Sequence, residues 1–154
     1  MIATPAAAGA PGVLELPLET YRQADEAELN QRIEAVKREL GDSLLILGHH
    51  YQQDEVIRFA ALRGDSLKLS QLAAESRACK SIVFCGVHFM AETADVLSRD
   101  EVNVYLPDMG AGCSMADMAD LDSVEAAWAD LAEIIDVEDL TPVTYINSTA
   151  ELKA

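Results

Sequence analysis

Four short apolar runs, separated by stretches of helix length, restrict what this chain can fold into more than any other feature. Residues 44–47, 82–87, 102–106 and 143–146 contain no charged side chain, and each is the length of a single strand. Between them the spacing changes to that of helices. Leu29, Ile33, Val36 and Leu40 recur at helical intervals, and Gly41 follows as a stop signal. Residues 54–62 read as a helix, and a second starts at Gly64-Asp65-Ser66 with Leu69, Leu72 and Ala73 on one face. Residues 89–97 and 123–135 read as two more, the last with Trp128 and Leu131 turned inward. Strands alternating with helices form parallel βαβ units. The expected fold class is α/β, a three-layer αβα arrangement around a short parallel sheet.

The expected domain plan has three parts. Ala, Pro and Gly dominate residues 1–12, and residues 1–24 are expected to be a disordered or loosely ordered extension. Residues 25–141 hold the first α/β domain. Residues 142–154 open a further strand–helix unit with no room to finish it, so the chain is expected to be a fragment.

Half of the 154 residues are hydrophobic, enough for one ordinary core. A formal net charge of -16 argues against a nucleic-acid partner, because neutralising phosphates needs clustered Lys and Arg. No apolar run approaches the length of a membrane span. Three cysteines cannot form a complete disulfide framework, and a reducing cytoplasm is the expected location.

Open parallel sheets bind ligands beyond the carboxyl ends of their strands. The residues that follow the apolar runs are His49 to Gln52, Cys85 to His88, Asp108 to Ser114, and Asn147 to Thr149. Most of the chemically useful side chains therefore fall on one rim. In extended backbone His49 and Tyr51 share a side while His50 faces elsewhere. An imidazole beside a phenol can bind a carboxylate and exchange a proton; a strand end meeting water is the plainer alternative. Ser66 can hold an anion at a helix start or simply cap it, and Asp65 before it is an equally good cap. Tyr145 and Asn147 alternate on the last run and can share a face, or pack there without further role. Glu92 is a cap or an orienting group, and His88 is a weaker metal candidate than the cysteine.

The three cysteines separate by position. Cys79 precedes the second run and Cys85 lies near its far end, about 20 Å away in extended backbone. They cannot share one compact cluster, and both are expected to serve packing. Cys113 lies on a flexible loop between Gly112 and Ser114. By itself it is a weak metal signal, and its spacing matches no zinc-finger or ferredoxin pattern.

Several segments together resemble one family, the quinolinate synthases of the NadA type. They are Leu47-Gly48-His49-His50-Tyr51-Gln52, Gly64-Asp65-Ser66-Leu67, Leu106-Pro107-Asp108 with Ala111-Gly112-Cys113-Ser114-Met115-Ala116, and the run from Val143 to Ala154. The run Val83-Phe84-Cys85-Gly86-Val87-His88-Phe89-Met90-Ala91-Glu92-Thr93-Ala94 is the most specific. The resemblance implies three similar α/β domains around a central site. It implies condensation of iminoaspartate with dihydroxyacetone phosphate to quinolinate in NAD biosynthesis, with L-aspartate oxidase or aspartate dehydrogenase as metabolic supplier. It further implies a [4Fe–4S] cluster held by three cysteines, whose open iron acts as a Lewis acid. Carried over by position, Cys113 matches the first cluster ligand. His49 and Tyr51 match catalytic, substrate-facing residues, and Ser66, Tyr145 and Asn147 match substrate contacts. The family's chain is longer, and its other two cluster cysteines are expected outside these 154 residues. The chain alone is therefore expected to be inactive. A non-catalytic α/β module for a small phosphorylated or dicarboxylic ligand is the alternative, and cluster binding separates the two.

Overall fold

The structure is a computed structural model that describes residues 2–3 and 18–154. Most of the expected amino-terminal extension lies outside the described residues; within it, Leu18–Arg22 forms helix α1. The second helix, α2, runs over Glu26–Leu40 and has the signals its sequence announces. The Asp25 carboxylate accepts a hydrogen bond from Glu28 N at 2.8 Å. Glu26 and Glu28 occupy the first turn and Lys37 and Arg38 the last, each sign matching the helix dipole. Gly41 ends it at φ 50°, a backbone region that favours glycine.

Five parallel strands follow one another across a single sheet in the order β1-β5-β4-β2-β3. They are β1 (Ile2–Ala3), β2 (Leu44–His49), β3 (Leu62–Gly64), β4 (Ser81–Cys85) and β5 (Asn103–Tyr105). The registers align Leu45 with Ile82 and Val104, and Leu47 with Phe84. That row, buried except for the half-buried Leu45, lies beneath α4 (Ser66–Glu75) and α5 (His88–Leu97), where Leu69 and Ala73 of one helix meet Phe89, Met90, Ala91 and Ala94 of the other. The opposite row, Ile46, Val83 and Tyr105, is only half-buried. Helix α2 and the single turn α3 (Asp54–Ile57) lie on this side, completing the αβα layers. Gly48 permits the close approach of α3, because a Cβ there would collide with Ile57 and Ala60.

Three expectations change. The helix expected over residues 54–62 stops at Ile57, and Leu62–Gly64 becomes the edge strand β3. Ala61 N donates to Ile46 O at 2.8 Å, drawing the chain alongside β2 before a second turn can form. The run 143–146 is not a strand, and Val143 is 91% exposed. A strand exists only where a neighbour takes its backbone hydrogen bonds, and among the described residues no strand of the sheet pairs with the segment. Helix α6 (Leu121–Ala132) has no buried residue; Trp128 is half-buried and Leu131 is exposed. A last short helix, α7, spans Ala150–Lys153.

Candidate active site

All the candidate side chains except that of Tyr145 come to the carboxyl edge of the sheet or the segments stacked on it. β2 ends on His49, which is 5% exposed. The chain turns there, Gln52 N donating to His49 O at 2.9 Å and His50 N to Gly64 O at 3.2 Å. This turn sets the His49 and Tyr51 rings against each other, centroids 3.9 Å apart and planes tilted by 44°. It also keeps His50 closer than simple alternation implies, 4.3 Å from His49, with its Nδ1 3.3 Å from Gly64 O. His49 Nδ1 is buried and has no hydrogen-bond partner among the described residues. Buried polar atoms are seldom left so without a function or a ligand.

Burial holds the His49 imidazole below its ordinary pKa, and the neighbouring His50 adds to this while Asp65 opposes it. The ring is therefore neutral near pH 7. Desolvation, and after it the Cys113 sulfur, push the Tyr51 phenol up, so it stays protonated and able to donate. These two influences bring the β2 turn, the start of α4 and the cysteine loop into one electrostatic environment.

Asp65, not Ser66, caps α4, accepting from Lys68 N at 2.9 Å. Ser66 is the first helical residue, half-buried, and its carbonyl accepts from Ser70 Oγ at 3.0 Å. Its hydroxyl is thus spared the capping task and sits beside the Asp65 charge that acts on His49.

Cys113 lies in the loop after β5, which is wound rather than slack. The Asp108 carboxylate accepts from Gly110 N at 2.8 Å, Ala111 N donates to Asp108 O at 3.1 Å, and His88 N donates to Ala111 O at 3.0 Å. The last bond ties the loop to the start of α5. Cys113 is half-buried against the core, and Asn147 Nδ2 approaches its Sγ at 3.8 Å. Tyr145, two residues earlier, is 62% exposed, and no contact places its ring with the others. The alternation that would have put both on one face needs the strand that does not form.

Cys79 and Cys85 stand apart. Cys79 is buried at the amino end of β4 with its Sγ–H donating to Ser81 O at 3.2 Å, and Cys85 ends the strand on the half-buried face. Burial raises the pKa of both thiols, as expected of packing residues. His88 Nδ1 lies 3.7 Å from Glu92 Oε1. Among the described residues, no three His, Cys, Asp or Glu side chains converge as a metal site.

A family model described as quinolinate synthetase A protein matches residues 31–154. The chain belongs to that family. Quinolinate synthases of several bacteria align with nearly all of it. That of Rhodopirellula baltica is 61% identical over 148 residues, 90% of this chain and 38% of the relative. That of Anoxybacillus flavithermus is 57% identical over 136 residues, 88% and 37% of the two chains. That of Acidobacterium capsulatum is 54% identical over 138 residues, 89% and 37%. The chain thus spans under two fifths of the length of these quinolinate synthases. The sequence resemblance to the family is confirmed, and so is the α/β sheet it implies. No described helix is long and apolar enough to cross a membrane.

Proposed function

We propose that this chain contributes the first α/β domain of a cytoplasmic quinolinate synthase, condensing iminoaspartate with dihydroxyacetone phosphate to quinolinate. In this reading residues 25–141 form that domain, and a second begins near residue 142. One observation carries it: an imidazole nitrogen of His49, buried and without a partner among the described residues, lies beside Tyr51, while the Asn147 amide faces the sulfur of Cys113.

The residues fit one corner of an iron–sulfur cluster. Cys113 is half-buried on the rim, held by a wound loop and faced by an amide N–H, which is how cluster sulfurs are commonly stabilised. The packing of Cys79 and Cys85 leaves the other two ligands to lie outside these 154 residues. When bound, a [4Fe–4S] group supplies a Lewis-acidic iron. The chain's own residues do the rest. Neutral His49 accepts or returns a proton at Nδ1, and protonated Tyr51 donates to a substrate carboxylate. Ser66 and the first amides of α4 hold a second anionic group. Asn147 donates to sulfur or substrate, while Tyr145 is exposed and takes no part in this arrangement. An L-aspartate oxidase or dehydrogenase is the matching supplier, since iminoaspartate is oxidised aspartate.

The test is a chimera in which residues 31–154 replace the matching stretch of the Rhodopirellula baltica enzyme. The expected result is anaerobic quinolinate formation, abolished by Cys113→Ala together with the cluster absorbance. A folded, iron-loaded chimera that makes no quinolinate overturns the proposal. A chimera that never acquires cluster absorbance, while the parent does, favours the non-catalytic ligand-binding module.

A further inference from the structure

Asn147 reaches Cys113 from a segment that has no sheet partner. Residues 141–149 are irregular, yet Ser148 is buried at 3% exposure. Ser148 Oγ donates to Tyr145 O at 2.8 Å and Ser148 N to Ile146 O at 2.9 Å, so the segment folds on itself. Those bonds shape the loop but tie it to nothing else. Ile146 lines an apolar groove with Thr93, Val96 and Leu97 of α5, a contact without direction. The directional tie is Glu92. Its side chain is 16% exposed, and its Oε2 accepts from Ala150 N at 2.9 Å, across 58 positions of sequence. Lys153 closes the far side, donating from Nζ to Ser148 O at 2.6 Å and sitting 5.7 Å over the Phe89 ring. Burial lowers the Lys153 pKa, and the Glu92 charge offsets part of this, so the two charges share one partly desolvated cluster.

We infer that Glu92 is a positioning residue: through its hydrogen bond to Ala150 N it fixes the register of the 145–150 segment on α5 and thereby holds Asn147 over Cys113. The same carboxylate faces His88, whose backbone N–H holds the cysteine loop at Ala111. Glu92 thus stands where both sides of the Asn147–Cys113 contact are anchored. A carboxylate is suited to this task, because a charge-assisted bond to a backbone amide is stronger and more directional than a neutral one. The inference rests on the proposed role of Cys113 and Asn147, but its test needs neither cluster nor turnover.

The experiment measures alkylation of Cys113 by iodoacetamide at fixed pH in the 154-residue chain, read by peptide mass spectrometry, with hydrogen exchange at residues 147–153. In Glu92→Ala, protection of the segment is lost and Cys113 alkylates about fivefold faster, as for a local opening. Ala150→Pro removes the donor at a first helical position where proline is tolerated, and reproduces the effect without touching α5. Asn147→Ala accelerates alkylation equally, and adding Glu92→Ala to it accelerates no further, the signature of coupled residues. Glu92→Gln keeps an acceptor and restores most of the protection. Cys113 reactivity unchanged in Glu92→Ala and Ala150→Pro, with the segment's protection lost, overturns the inference. So does additivity with Asn147→Ala. Because these readouts ignore the cluster, an inactive chimera leaves this result standing, and the reverse also holds. Should Glu92→Ala fail to fold, Ala150→Pro and the glutamine variant decide alone.

Discussion

His49 shows how a single residue couples stability to chemistry. Its native pKa lies below the ordinary 6.5, because burial and His50 disfavour the imidazolium. Between that depressed value and 6.5 the unfolded chain binds a proton that the native chain refuses. Stability is then complete above about pH 6.5 and falls as pH drops through the window below it. Chemical denaturation at pH 7.5 and 5.5 should show this loss, and His49→Gln should flatten that part of it. In the chimera, His49→Phe keeps a ring against Tyr51 but removes the Nδ1 atom. A loss of about a hundredfold in kcat is expected, the usual worth of one acid–base group. Tyr51→Phe tests the donor beside it, and weaker substrate binding is the expected readout. Ser66 makes a different point: the sequence offered both it and Asp65 as caps, and the cap went to Asp65. Asp65 acts on His49 from that position, a role with no signature in the sequence because strand pairing brings β3 beside β2.

At the scale of elements, stability sits on one side of the sheet. Phe84 is fully buried between β4 and the α4–α5 pair, so Phe84→Ala should cost about 3–5 kcal/mol in urea unfolding. Gly48→Ala should destabilise through a different cause, the collision of a Cβ with Ile57 and Ala60, and the loss should appear first as exchange in α3. A residue on the other face, such as Val36→Ala, should change stability far less, since Val36 is 48% exposed. The contrast also marks where reading by pattern stopped short. The spacing of Leu29, Ile33, Val36 and Leu40 revealed a helix correctly, yet no residue of α2 is buried. Periodicity reports which face is apolar, not what covers it. In residues 54–62 the pattern ran on past the helix, because a hydrogen bond from Ala61 to Ile46 outcompeted a second turn.

For the whole molecule, the exposed apolar surface is the dominant fact. Leu18, Val36, Leu40, Met118, Ile134 and Val143 all face solvent, on α1, α2, the turns before and after α6, and the segment before α7. Surface of this kind marks interfaces or a liability to aggregate. In the proposed longer enzyme the remaining domains cover part of it. Purified alone, the 154-residue chain should bind a hydrophobic dye more strongly than the chimera does, and should make no quinolinate after iron and sulfide reconstitution. Turnover by the isolated chain would contradict the reading that two cluster ligands lie elsewhere.

The sequence by itself determined the alternation of strand and helix, the stop of the first long helix at Gly41, the rim position of His49, Tyr51 and Cys113, and the family. These are local or positional properties: periodicity, capping chemistry and the residue that follows each apolar run. Only the tertiary structure decided the partners. It set His49 against Tyr51 with a nitrogen unpaired among the described residues, chose Asp65 over Ser66 for the cap, set Tyr145 in solvent, and hooked residue 150 to Glu92. Such choices depend on which segments meet across tens of residues, and the free energy of those meetings is not written in any one of them.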